Sequence, residues 1–310
     1  MSLSRRELLT RLGATAGILG GAGLAAKLRF APGGFGIERK AGEGQTRDYR
    51  VGADEALAAL AIARAGSPAD LTRRAIDGLG GMRRFISRGD VVVVKPNIGW
   101  DRMPVHAANT NPEVVGEVVR QAYDAGAKNV IVTDASCNEP NRCFQRSGIW
   151  SAAYEMGAEI ILPTEHRFRS MRLRGEVLDE WPVFSPLVQA DKVINVPVAK
   201  HHNLSLYTGA MKNLYVLLGG RRNRLHQNID TSIADLATFM QPTLTVLDAT
   251  RVLMRNGPQG GNIADAKQLD IVAAGVDQVA VDAFGCTLVG RTPQEIAYLA
   301  MAQERGLGVV

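Results

Sequence analysis

Gly89-Asp90-Val91-Val92-Val93-Val94-Lys95-Pro96-Asn97 carries the clearest structural signal in the chain. Four β-branched residues in a row predict a strand buried on both faces, because a strand with one wet face alternates apolar and polar side chains. Proline cannot donate to a central ladder, so the strand stops at Lys95-Pro96-Asn97. Downstream, Thr110-Asn111-Pro112-Glu113 is a helix start, with a capping side chain, a proline for the first turn and an early carboxylate. Val114, Val115, Val118, Val119, Ala122 and Tyr123 then recur with helical period, and Gly126 closes the helix. Residues 129–133 form the next strand, which ends at Asp134. Strand, helix, strand in this order is a β-α-β unit with parallel pairing.

On either side of this unit the alternation continues. Further strands are predicted over 159–162, 192–196, 243–247 and 269–274, and helices over 53–65, 69–86, 209–218, 231–240, 278–289 and 293–305. The predicted fold class is α/β, a largely parallel sheet flanked by helices, in one lobe or two. With 310 residues, 46% hydrophobic and 22% charged, the chain has ample length for such a core. Aromatics are only 5%, so aliphatic side chains must fill the interior.

The first 26 residues read apart from the fold. Ser4-Arg5-Arg6-Glu7-Leu8-Leu9 precedes a Gly/Ala-rich apolar stretch too short and glycine-rich for a comfortable membrane span. The arginine pair resembles a twin-arginine signal, which predicts recognition by the twin-arginine translocation machinery and a periplasmic or extracytoplasmic destination. Ala25 and Ala26 suit a peptidase, but no clean Ala-x-Ala precedes them, so a retained N-terminal membrane anchor is the alternative to cleavage. Residues 27–50 are glycine-rich and charged without periodicity and read as a linker, which leaves 51–310 as the α/β domain.

Composition narrows the partners. The net charge is +5, but no basic run is interleaved with aromatics, so no nucleic-acid partner is expected. The cysteines are Cys137, Cys143 and Cys286, with no C-x-x-C. Three thiols cannot complete a four-cysteine iron–sulfur cluster, so no self-contained cluster is expected, and no other cofactor is indicated. An oxidising compartment would permit a Cys137–Cys143 disulfide.

Ligands of open α/β sheets bind beyond the carboxyl ends of the strands. Lys95 and Asn97 follow the first strand, Asp134 and Ser136 the second, Lys200-His201-His202 the 192–196 strand, and Asp248 the 243–247 strand. Thr208 can cap a helix whose small first turn leaves N–H groups free for an anion, with Lys200 before it and Lys212 within it. A carboxylate or phosphate suits two lysines and a helix N-terminus. His201, His202, His226, Asp230 and Asp235 could instead supply metal ligands, although no H-E-x-x-H spacing occurs and adjacent histidines of an extended segment face opposite sides. Neither a P-loop nor a G-x-S-x-G elbow is present.

Six blocks in order carry a family resemblance: Val94-Lys95-Pro96-Asn97, Thr110 to Val115, Ala125-Gly126-Ala127, Asn195-Val196-Pro197 to His201, Thr208-Gly209-Ala210-x-Lys212-Asn213-Leu214, and Asn256-Gly257-Pro258. From about residue 90 onward the chain resembles the domain of unknown function family 362. Many relatives carry a ferredoxin-like module, which implies redox chemistry for them. This chain lacks the module's cysteines. Members show Lys-x-His where this chain has Lys200-His201-His202, which displaces the matched histidine by one position. The positions matched to the family's polar blocks are Lys95, Asn97, Asn111, Lys200, His201, Lys212, Asn213 and Asp248.

The resulting expectation is an exported protein that binds a small anionic ligand, as a redox-related or metal-assisted enzyme. Lys95, Asn97, Asn111, Lys200, Lys212, Asn213 and Asp248 are the candidate ligand-binding residues, and His201 and His226 the candidate catalytic ones, because histidine titrates near neutral pH. The alternative is a non-catalytic ligand-binding or assembly protein that supports a redox partner.

Overall fold

The computed structural model describes residues 46–52 and 56–310. The segments expected to form an export signal and most of a linker lie outside the described residues. Of the linker's end, Tyr49 is buried and donates from its hydroxyl to the Leu187 carbonyl (3.1 Å).

The β-branched run forms β2 (Val91–Pro96), the middle one of five parallel strands. These are β4 (Glu159–Ile161), β3 (Asn129–Thr133), β2, β7 (Lys192–Val196) and β10 (Leu244–Leu253), adjacent in that order. On the far side of β10, β11 (Ala266–Gly275) and then β1 (Leu60–Arg64) add antiparallel. A separate ribbon pairs β5 (Phe168–Arg172) with β6 (Glu180–Phe184). The fold is α/β with a mostly parallel central sheet flanked by helices.

Alternate residues of β2 face opposite cores, as a strand covered on both sides requires. Val92 and Val94 join Val130, Val132, Ile194 and Val196 under α1 (Pro68–Asp77) and α2 (Pro112–Ala125). Val93 and Val193 face the opposite core, which is covered by α7 (Ile229–Phe239), α8 (Gln278–Thr287) and α9 (Ala297–Glu304). Helix α2 starts where its sequence says. Asn111 accepts from the Glu113 N–H (3.0 Å), Pro112 occupies the first turn, and Gly126 closes the helix at φ 109°.

Several segments depart from the sequence pattern. The helix expected over 53–65 is, where described, strand β1, because the open edge of β11 offers a full antiparallel ladder and pairing overrides alanine's helix propensity. The segments 140–146 and 149–155, without assignment above, are the short helices α3 (Pro140–Arg146) and α4 (Ile149–Glu155). The helix expected over 209–218 shrinks to α6 (Ala210–Asn213) followed by a 3₁₀ turn. Lys200-His201-His202, expected only as an extended segment after the 192–196 strand, ends a strand of its own, β8 (Val198–His202), which pairs with β10 and with β9 (Leu206–Thr208). Among the described residues no helix is long and apolar enough to cross a membrane.

Candidate functional site

From β2 the chain winds through β3 and β4 in one direction, while β7 lies on the other side of β2. The carboxyl ends of β2 and β7 therefore flank a topological switch point, where α/β sheets open a crevice. Pro197 separates β7 from β8, and β8 follows β10 and β9 with no pairing to β2. Lys200 is thus carried beside the end of β2 without filling the ladder there.

Lys95, Lys200 and Lys212 are 0%, 1% and 7% exposed. Lys95 Nζ lies 2.9 Å from the buried carboxylate of Asp134, whose other oxygen accepts from the Ile98 N–H (2.7 Å). Lys200 Nζ donates to Asn97 Oδ1 (3.1 Å) and to the Ala108 carbonyl (2.5 Å). Three amides continue that bond in one direction. Asn97 Nδ2 donates to Asn213 Oδ1 (2.9 Å), Asn213 Nδ2 to Asn195 Oδ1 (2.8 Å), and Asn195 Nδ2 to the Ala210 carbonyl (2.9 Å). Because each amide's partner fixes its orientation, Asn97 is held with its oxygen toward the ammonium.

Lys212 differs from the other two. Its Nζ lies 4.1 Å from the centre of the Tyr215 ring, and no hydrogen-bond acceptor or ion-pair partner for it is found among the described residues. Burying an ammonium costs several kcal/mol, so three buried lysines against one buried carboxylate leave positive charge uncompensated. Burial lowers all three lysines, Lys200 to about 7 and Lys212 to about 8, while Asp134 opposes the fall at Lys95. Arg222 adds a further cation, anchored on the Ala135 and Ser136 carbonyls (2.5 and 2.8 Å).

The histidines sort by strand period. Residues 200 and 202 of β8 share a face and 201 takes the other. His202 lies with the lysines. Its Nδ1 accepts from the Leu204 and Ser205 N–H groups (3.1 and 3.2 Å), so the ring proton of the neutral form is on Nε2. Burial, then Lys212 and Lys200, lower it to about 2, which keeps it neutral. His226 is exposed and stacks on His202 with ring centres 6.4 Å apart. His201 turns instead toward Gly257, accepting its N–H on Nδ1 (3.3 Å), and is lowered by burial and then by Arg291. The family's Lys-x-His spacing is therefore met without displacement, by Lys200 and His202.

Not every expected site residue joins this cluster. Asp248 accepts from the Asn111 N–H (2.7 Å) and from the Thr250 N–H and hydroxyl (2.9 and 2.7 Å), and Asn111 Nδ2 donates to Thr250 Oγ1 (3.1 Å). That closed network seats the start of α2 on β10. Asp235 caps a turn, accepting from the Glu176, Val177 and Leu178 N–H groups. The first turn of α6 is not open to an anion, because Asp282 of α8 already accepts from the Ala210 and Met211 N–H groups (2.5 and 2.9 Å). Burial raises Asp282 to about 7. Gly209 is required there, since a Cβ would overlap the Asp282 carboxylate and the Tyr207 hydroxyl. Thr208 lies in β9 and makes no capping bond to α6.

Asn195, Arg222 and Asp282 are the residues sequence reasoning did not place at the site, and His202 entered it only as an alternative metal ligand. Strand period alone marks His202, and an amide within the apolar run of β7 marks Asn195. Arg222 and Asp282 arrive from distant segments and leave no local signal. Among the described residues no group of three or more His, Cys, Asp and Glu could hold a metal ion. Cys137, Cys143 and Cys286 are all free.

A model of the family described as Domain of unknown function (DUF362) matches residues 92–287, which include all of this site. The thylakoid-associated protein sll1697 of Synechocystis sp. (strain ATCC 27184 / PCC 6803 / Kazusa) is 26% identical over 258 residues, 78% of this chain and 76% of that protein. Among solved structures, the lactate racemase apoprotein from Thermoanaerobacterium thermosaccharolyticum is 12% identical with a TM-score of 0.43, over 73% of this chain. A protein from Thermotoga maritima is 11% identical, also at 0.43, over 71% of this chain. The chain spans only 56% and 59% of those two chains.

Proposed function

The chain belongs to this DUF362 family, and we propose that it binds a small carboxylate or phosphate anion at the switch point, held by Lys200 and Lys212. The single observation that carries the reading is Lys212: a lysine more than nine-tenths buried, in a cluster with two other buried lysines, with no acceptor for its ammonium among the described residues. An anion there gains charge-assisted hydrogen bonds in a desolvated place, where they are roughly twice as strong as neutral ones. Lys95 and Asp134 form the base of the site, and the Asn97-Asn213-Asn195 relay fixes the end of β2 against α6.

Turnover, in this reading, uses Lys200 rather than a histidine to move a proton. Lys200 titrates at about 7, whereas His202 stays neutral and can only donate from Nε2. The second reading, a non-catalytic binder or assembly protein serving a redox partner, uses the same anion site and lacks turnover. The neutrality of His202 favours it over histidine acid–base catalysis. We propose further that the protein is exported by the twin-arginine route; Ser4-Arg5-Arg6 before the glycine-rich stretch supports this.

Thermal-shift titration against phosphates and carboxylates tests the anion site. One class is expected to stabilise the parent protein, and Lys212→Met to weaken its binding by roughly tens- to thousands-fold, the equivalent of about 2–5 kcal/mol for a desolvated charge partner. Equal stabilisation of parent and variant would make Lys212 a structural residue only.

A further inference from the structure

The turn after β3 places a thiol at the edge of the lysine cluster. Cys137 is exposed and free, whereas Cys143 and Cys286 are fully buried. Its N–H donates to the Gly99 carbonyl (2.9 Å), which ties the turn to the loop after β2. A Cβ built on Gly99 would lie 3.6 Å from Asn97 Oδ1 and 4.0 Å from Cys137 Sγ, so the sulfur and the amide that holds Lys200 flank the same glycine. For both Lys200 and Lys212, the largest charge effect after burial itself is that of Cys137, which opposes the fall. Lys212, buried and without an acceptor among the described residues, is a second lysine on which this thiol's charge acts.

We propose that Cys137 is the nucleophile of the anion site and bonds covalently to small anionic ligands that carry an electrophilic carbon or sulfur. The thiolate is the reacting form of cysteine, and reactive cysteines are partly exposed and surrounded by positive charge. Cys137 has both properties, and the lysines supply the means of choosing anionic over neutral or cationic electrophiles. The inference rests on the anion-binding reading above, to which it adds the class of ligand and the bond formed.

Disulfide exchange provides the test, with the dianionic dithiobis(nitrobenzoate) and the dicationic cystamine as probes. In each, a bond forms between Cys137 Sγ and one reagent sulfur, the reagent's S–S bond breaks, the second sulfur leaves as thiolate with the bonding pair, and the proton of Cys137 passes to water. Rates on the folded full chain are divided by those of N-acetylcysteine amide, and peptide mass spectrometry identifies the modified residue. The expected result is a fast phase of one thiol at Cys137, with the anionic probe favoured on the order of tenfold or more over the cationic one. Cys137→Ser should abolish that phase, Lys212→Met should remove most of the preference, and inorganic phosphate should slow the anionic probe alone. Equal normalised rates for the two probes, or a fast phase mapped to another cysteine, would overturn the proposal. Calorimetric titration of phosphate on the same samples separates the two readings. Phosphate binding without probe preference defeats the role of Cys137 and leaves the anion site standing, whereas preference without phosphate binding defeats the site as an anion-binding function and leaves the thiol.

Discussion

Lys200 and Lys212 set the pH behaviour at the scale of single residues. Both titrate below the ordinary lysine value of 10.5, so between about 7 and 10.5 the unfolded chain holds more protons than the folded one. Their contribution to stability therefore rises with pH through that window. A bound anion favours the charged forms, so binding takes up protons. Sulfate, which stays dianionic throughout, should bind with constant affinity below about pH 7 and lose up to roughly tenfold per pH unit for each coupled lysine above it. The groups whose charges couple to the two lysines are Lys95, Asp134, Cys137, His202, His226 and Asp230, and His202 is already neutral. Calorimetry between pH 6 and 9 measures the slope; Lys212→Met should make it shallower, and a flat profile would contradict the buried state of both lysines. Lys95, Asn97 and Lys200 were legible as a group because strand ends of a predicted parallel sheet must cluster, and Asn213 through the family resemblance. Strand period separates His201 from His202, but which of the two shares the side of Lys95 depends on the pairing of β8 with β10, which is not local.

Elements place these residues, and here structural and ligand roles separate. Asn111 caps α2 and bonds Thr250 beside Asp248, in a network that shares no hydrogen bond with the lysine ammonium groups. Asn111→Ala should destabilise the fold by about 0.5–2 kcal/mol, the usual cost of losing such a cap, while phosphate affinity at saturating fold stays unchanged. Denaturant unfolding and calorimetry check the two halves; a loss of affinity without loss of stability would return Asn111 to the binding site. Asp282 has the opposite pH sign to the lysines. Its carboxyl, raised above the ordinary 3.8 to about 7, contributes stability below about pH 4 that is lost as pH rises through about 7. Asp282→Asn should flatten that fall in stability between pH 4 and 7, as measured by thermal unfolding; an unchanged slope would contradict its buried state. Helix α2 and strands β2 and β3 were readable because cap, period and β-branching agree locally. Strand β1 and helix α6 were not, because an open edge at β11 and a carboxylate from α8 decide them, and both are distant in sequence.

At the scale of the whole molecule, the α/β domain brings its cations together at one switch point, and the proposed export address precedes it in the sequence. The address predicts that Arg5→Lys combined with Arg6→Lys leaves folded protein in the cytoplasm; unchanged periplasmic yield on fractionation would contradict twin-arginine export. The convergence was legible only in part, since the order β4-β3-β2-β7-β10 that creates the switch point cannot be read from a chain without seeing which strands pair. The most direct measurement of the central claim is anomalous diffraction from crystals equilibrated with selenate, a tetrahedral dianion whose position can be found anywhere on the molecule without prior assumption. The account predicts a principal anomalous peak within hydrogen-bond distance of Lys200 and Lys212 Nζ, lost in Lys212→Met. Selenate bound only elsewhere, with both ammonium groups left without an anion, would contradict it.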